Sequence, residues 1–140
     1  MGLPLIFHER DSQGRLLALL KKYPRRERNG VVHCFSGNKQ ELEQYLEMGF
    51  YIGITGILTL TDRGAGLREL SRSIPPERLV VETDAPYLTP APEKNRTRRN
   101  EPAFVRSVLL KLAEVRGDDP EKLALTVWEN SCRLYHIETE

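Results

Sequence analysis

A chain of 140 residues favours a single domain that buries roughly two thirds of the surface exposed by its unfolded form. Its 21 Lys and Arg against 20 Asp and Glu leave a net charge of +1, so there is no global basic footprint, and any grip on a polyanion must be local. The apolar runs are too short for a bilayer, no secretory leader is evident, and Cys34 and Cys132 are too few for a disulfide framework, so a cytoplasmic protein with no membrane association is expected.

In chain order, Leu3–His8, Gly30–Phe35, Phe50–Ile54 and Leu79–Thr83 are short, nearly continuous apolar runs. Such runs predict parallel strands buried on both faces. Helical patterns separate them. Asp11 is expected to cap a helix carrying Leu16, Leu17, Leu19 and Leu20, bounded by Pro24. Asn38 with Glu41 makes a capping box before Leu42, Tyr45 and Leu46, and Gly49 is the expected stop. Leu67, Leu70 and Ile74 form a shorter face ending at Pro75-Pro76. After the fourth strand come Pro86, Pro90 and Pro92, then a basic loop with Lys94, Arg96, Arg98 and Arg99. Two longer helices follow: one opened by Pro102 and ending near Gly117, the other capped by Asp119 with Leu123, Val127 and Leu134 inward. Trp128 on the last helix is expected to pack, and His136 to lie on the surface.

Repeated strand–helix order predicts an α/β fold of right-handed βα units. Four such units are half of a barrel of eight, and the first strand begins almost at Met1. The expectation is therefore one domain over 1–140, truncated at its N-terminus and supplying the last four strands of a barrel.

His8 ends the first strand, His33 lies near the end of the second, and Asp84 follows the fourth. Barrels of this type place functional groups at that end of the strands, and two imidazoles with a carboxylate suit a divalent metal. Packing roles for the same three residues remain open on spacing alone. Glu82 sits two residues before Asp84 and, if the strand persists, shares its face, as a group orienting a ligand or simply pairing with a nearby charge. The basic loop lies at the same mouth, whereas Lys21, Lys22, Arg25, Arg26 and Arg28 precede a strand and belong to the other end. Cys34 next to His33 reads as core.

Five segments resemble the TatD family of metal-dependent deoxyribonucleases, in the right order and over essentially the whole chain. They are His8-Glu9-Arg10-Asp11, Val32-His33-Cys34-Phe35-Ser36-Gly37, Tyr51-Ile52-Gly53-Ile54-Thr55-Gly56, Glu82-Thr83-Asp84-Ala85-Pro86-Tyr87-Leu88 and Arg99-Asn100-Glu101-Pro102. The resemblance implies the C-terminal half of a TIM-type (β/α)8 barrel in the amidohydrolase-like, metal-dependent hydrolase superfamily. It implies His8, His33 and Asp84 as metal ligands, with Asp84 also catalytic, orienting or deprotonating the attacking water. Arg10 and Arg99 become candidates for substrate contact, with DNA as partner and divalent ions (Mg, Mn or Zn, two in a complete barrel) as cofactors. The family's His-x-His pair and bridging Glu belong to strands this chain lacks, so a full two-metal site needs more than this chain. Two other readings stay open: a barrel hydrolase of another ester or amide, and a non-catalytic half barrel that self-associates or awaits an N-terminal half.

Overall fold

The computed structural model describes residues 3–9, 12–23 and 29–138. Four strands, β1 (Leu5–His8), β2 (Gly30–His33), β3 (Tyr51–Ile54) and β4 (Leu79–Val81), make one parallel sheet in the order β1-β2-β3-β4. Helices α1 (Arg15–Lys22), α2 (Lys39–Glu47) and α3 (Ala65–Ser71) fill the crossovers. The short α4 (Ala91–Lys94) and the longer α5 (Val105–Arg116) and α6 (Pro120–Tyr135) follow β4. Sequence neighbours are spatial neighbours throughout, as expected of consecutive βα units. Among the described residues, no helix is long and apolar enough to cross a membrane.

Local chemistry explains most of the boundaries. Asn38 Oδ1 accepts from the Glu41 amide at 3.0 Å while Glu41 Oε2 accepts from the Asn38 amide at 2.9 Å, the expected capping box. Gly49 (φ +83°) and Gly117 (φ +72°) adopt the left-handed conformation just past α2 and α5, where a Cβ is strained. Asp119 Oδ1 accepts from the Glu121 and Lys122 amides and starts α6. The first helix differs from expectation: it begins at Arg15 with Gly14 at the cap position and no side-chain cap, and Asp11 and Pro24 lie outside the described residues. Pro102 opens a 3-10 turn, Pro102–Phe104, that leads into α5 rather than the helix itself.

Strands β2, β3 and β4 are buried on both faces, as expected, whereas edge strand β1 alternates between half-buried and exposed residues. Side chains alternate along a strand, and Val32, Ile52, Ile54 and Leu79 belong to the main core with Leu42, Tyr45, Leu58, Leu67, Val108 and Leu112. Each such fully buried aliphatic side chain contributes about 1.5–3 kcal/mol, so this layer holds the fold. On the opposite face Val31, Tyr51 and Val80 form a smaller cluster closed by Leu134 of α6. Beside them, on edge strand β1, Ile6 is 60% exposed. Trp128 is likewise 56% exposed, in an open groove with Leu125, Cys132 and Ile137, and does not pack as expected.

Two polar ties fasten the layers. The fully buried Asn130 donates from Nδ2 to the carbonyls of Pro76 and Leu79, both at 2.7 Å, docking α6 onto the start of β4. Arg116 donates to the carbonyls of Ser71 and Ile74 and to Asp118, docking α5 onto the end of α3.

Candidate functional site

The register of β1 and β2 places His8 directly beside His33, and alternation points both to the face that carries Val31, opposite the main core. Their rings lie 5.2 Å apart between centroids. β2 ends at His33, two residues earlier than expected, because Cys34 turns into the left-handed conformation (φ 54°). Cys34 is buried as expected, yet it also lines the site cavity, and its Sγ lies 3.4 Å from Thr55 Oγ1. β4 ends at Val81, so Glu82 and Asp84 do not share a continuing strand. They reach the same ring by different routes: Glu82 Oε2 lies 2.8 Å from His33 Nδ1, and Asp84 Oδ1 lies 3.2 Å from His33 Nε2. Asp84 is held by a tight turn in which the Tyr87 amide donates to its carbonyl at 2.7 Å.

Glu82 crosses β3 to get there, and Gly53 lets it pass. A Cβ built on Gly53 would sit 1.9 Å from Glu82 Oε2. The same oxygen accepts a second, longer hydrogen bond of 3.3 Å from the Cys34 amide. A glycine inside a strand often marks such a close approach.

A neutral imidazole donates from one nitrogen and accepts at the other. Both nitrogens of His33 face carboxylates, so the arrangement favours a positive charge: a second proton, or a cation taking the place of the proton on Nε2. Accordingly the His33 pKa is raised from 6.5 to about 9, chiefly by the hydrogen bond to Glu82, against the opposing effect of burial and with help from Asp84.

Ligand atoms of His8, His33 and Asp84 all lie within 4.8 Å of one another. Bonds of about 2.0–2.2 Å to one ion set neighbouring ligand atoms roughly 3–3.5 Å apart, and the His33–Asp84 pair already has that spacing. The donor set therefore fits a divalent ion. A cavity of about 190 Å³ opens on this cluster, walled by Glu9, Ser36, Ile57, Arg63 and Leu88.

A family model described as TatD related DNase matches residues 1–136. The chain belongs to that family. It is 44% identical over 139 residues to a protein of Citrobacter rodentium named 3'-5' ssDNA/RNA exonuclease TatD, a match covering 98% of this chain and 53% of the relative. A Rahnella protein of the same name is 45% identical over the same shares. Among solved structures, a TatD homologue of Escherichia coli K12 superposes with a TM-score of 0.86 at 29% identity, covering 97% of this chain and 51% of that one. A TatD family hydrolase of Entamoeba histolytica gives a TM-score of 0.81 at 30% identity, over 95% and 50%. The chain thus spans about half the length of the TatD relatives it matches. The family and the parallel α/β fold read from the five motifs stand.

The remaining sequence candidates fall differently. Arg10 lies outside the described residues. Arg99 is exposed, and its amide is bonded to Thr97 Oγ1 at 3.1 Å. Lys94, Arg96 and Arg98 are also exposed, and among the described residues none of the four basic side chains lines the His8–Asp84 cavity. The loop is nevertheless tied to the acidic turn: Asn100 Nδ2 donates to the carbonyls of Tyr87 and Leu88, and Thr89 Oγ1 donates to that of Arg98. Sequence reasoning passed over Glu9, which is buried and accepts from Tyr45 Oη at 2.8 Å and from the Ser12 amide at 3.1 Å, anchoring the loop after His8. Burial and the Glu9 hydrogen bond hold the Tyr45 hydroxyl above its ordinary range. It also passed over Arg63 and Gly53. A glycine inside an apolar strand was the available signal for Gly53; nothing in the spacing marked Arg63.

Proposed function

We propose that this chain supplies His8, His33 and Asp84 to the metal centre of a divalent-metal-dependent nuclease, and that the assembled protein hydrolyses phosphodiester bonds of single-stranded DNA or RNA. The observation that carries this reading is the convergence of the three ligand atoms within 4.8 Å at one end of the parallel strands. The names of the relatives support the substrate class. Their length, about twice that of this chain, supports a site completed by further strands.

A phosphodiester resists hydrolysis because its charge repels nucleophiles and its alkoxide leaves poorly. A bound divalent ion would neutralise that charge and make water more acidic. The chain's own residues do the rest. His33 and His8 would hold the ion from the adjacent ends of β2 and β1, and Asp84 would reach it from beyond β4, across β3. Asp84, exposed enough to meet solvent beside the His33 nitrogen, orients the attacking water and accepts its proton. Glu82 fixes the His33 ring through Nδ1 and makes Nε2 a better donor to an ion. Arg10 and Arg99 hold the nucleic-acid backbone through bidentate contacts.

Calorimetric titration of the purified chain with Mg²⁺, Mn²⁺ and Zn²⁺, beside Asp84→Ala and His33→Ala, tests the metal reading. Each substitution should weaken binding at least about tenfold, in line with the loss of one ligand. Cleavage of a single-stranded oligonucleotide by the chain alone should fall orders of magnitude below that of a complete barrel, because each 1.36 kcal/mol of lost transition-state stabilisation is about tenfold in rate. Metal affinities indistinguishable across the three proteins would refute the centre.

The open edge at β1 and the exposed face of α6 favour a second reading alongside this one, in which copies of the chain associate through unpaired strand edges. Sedimentation at rising protein concentration separates a monomer from that assembly.

A further inference from the structure

Resting on that reading, we propose that Arg63 holds a substrate phosphate, and that the open groove beyond it receives the nucleoside attached to that phosphate. The His8–Asp84 cavity of about 190 Å³ shares Glu9, Ser36 and Arg63 with a second cavity of about 510 Å³. Small-molecule sites span roughly 300–1,000 Å³. The inner cavity is thus small for a whole nucleotide, and the outer one is large enough for a nucleoside. The two cavities are neighbours across these shared walls, with the outer one farther from His8 and Asp84.

Arg63 stands at the junction. Its guanidinium makes no hydrogen bond or ion pair with any described residue, although the loop that carries it is held firmly. Arg68 donates to the carbonyls of Leu58 (3.0 Å), Leu60 (2.6 Å) and Thr61, clamping the segment just before Arg63. Gly64 packs so closely that a Cβ there would lie 2.5 Å from the carbonyls of Ile57 and Leu60. A guanidinium with no partner among the described residues, on a fixed loop, is preorganised for bidentate contact with two phosphate oxygens and loses little on binding them.

The walls of the outer groove decide what lies beyond. Glu9 and Glu41 put negative charge there, both already accepting hydrogen bonds from the protein. They disfavour a second phosphate. Ser12, Gln13, Ser36 and Asn38 add neutral donors and acceptors, which suit the edge of a base and a sugar hydroxyl. No aromatic ring lines the groove among the described residues, so recognition rests on hydrogen bonds rather than stacking.

The test uses the Mn²⁺-loaded chain and a fluorescent thymidine tetranucleotide, read by anisotropy at several salt concentrations. Arg63→Ala should weaken binding about tenfold, the loss of one charge-assisted contact, and reduce the slope of log affinity against log salt by about 0.7. Arg63→Lys should restore the slope but not the full affinity. A tetranucleotide lacking its 3'-terminal base should bind the native chain several-fold more weakly. Calorimetry should show the same Mn²⁺ affinity for the native chain and Arg63→Ala. Unchanged oligonucleotide affinity in Arg63→Ala with Mn²⁺ binding intact overturns the phosphate contact, and equal binding of the abasic probe overturns the nucleoside groove. Failure of the native chain to bind Mn²⁺ removes the metal reading and this proposal with it.

Discussion

Replacing Gly53 with alanine is a one-methyl perturbation of the candidate site that leaves the fold largely alone. Gly53 is not among the positive-φ glycines, so alanine meets no backbone strain there. The new Cβ would lie 1.9 Å from Glu82 Oε2 and 2.4 Å from its Cδ. The atoms in the way belong to the end of a flexible side chain, so the carboxylate swings aside and the strands keep their register. It takes with it the 2.8 Å contact to His33 Nδ1 and the 3.3 Å bond from the Cys34 amide. The rise of the His33 pKa from 6.5 to about 9 corresponds to about 3 kcal/mol of preference for the charged ring, and Glu82 is its largest cause. His33 in Gly53→Ala should therefore titrate about 1–2 pH units lower. Divalent-metal affinity should fall about 10–100-fold, the usual cost of losing a partner that orients a metal-bound histidine. NMR titration of the His33 ring in chelator, followed by metal calorimetry, reads both quantities, and Glu82→Gln should reproduce them. A His33 that still titrates near 9 in Gly53→Ala would show that Glu82 does not depend on the space the glycine leaves.

Further outcomes follow from the same geometry. His33 has a folded pKa raised above its unfolded value, so the stability it contributes is full below about pH 6.5 and is lost as pH rises through about 9. Urea unfolding of metal-free protein at pH 6 and pH 10 should reveal a loss of up to about 3 kcal/mol that Glu82→Gln flattens; an identical pH dependence in the two proteins counts against the ion pair. Asn130→Ala removes the bonds to the Pro76 carbonyl and to the buried Leu79 carbonyl and should destabilise the chain by about 1–3 kcal/mol in the same assay. Arg99→Ala should weaken oligonucleotide binding and make it less salt-dependent, whereas Arg26→Ala should not. Equal effects would deny the basic loop its place at the strand ends.

The apolar runs made the four strands legible, and the order of the helices followed because parallel neighbours require crossovers. Strand ends were not legible, because they depend on single torsions: Cys34 leaves β2 through a left-handed turn that nothing in Val32-His33-Cys34-Phe35 announces. The division of the sheet into a large core on one face and a small cluster on the other was also hidden. Val31, Tyr51 and Val80 look as apolar as Val32, Ile52 and Leu79, and composition does not say which face meets a helix. Within the site, the meeting of His8, His33 and Asp84 at one end of the sheet was readable from their positions after parallel strands. Arg63 was not, because an arginine in a polar loop becomes informative only when its lack of a partner among the described residues and the cavity beside it are seen.

Asn100 gives the acidic turn and the basic loop a shared mechanical fate. It is buried, its amide nitrogen donates to the Pro86 carbonyl at 3.0 Å, and its side chain holds the carbonyls of Tyr87 and Leu88 at 2.7 and 3.3 Å. A tug on Arg99, the next residue back along the chain, is carried through Asn100 to the turn that presents Asp84. The two segments are tied into one unit, so a displacement imposed on the basic loop is passed to the turn that carries the carboxylate instead of dissipating along a slack loop.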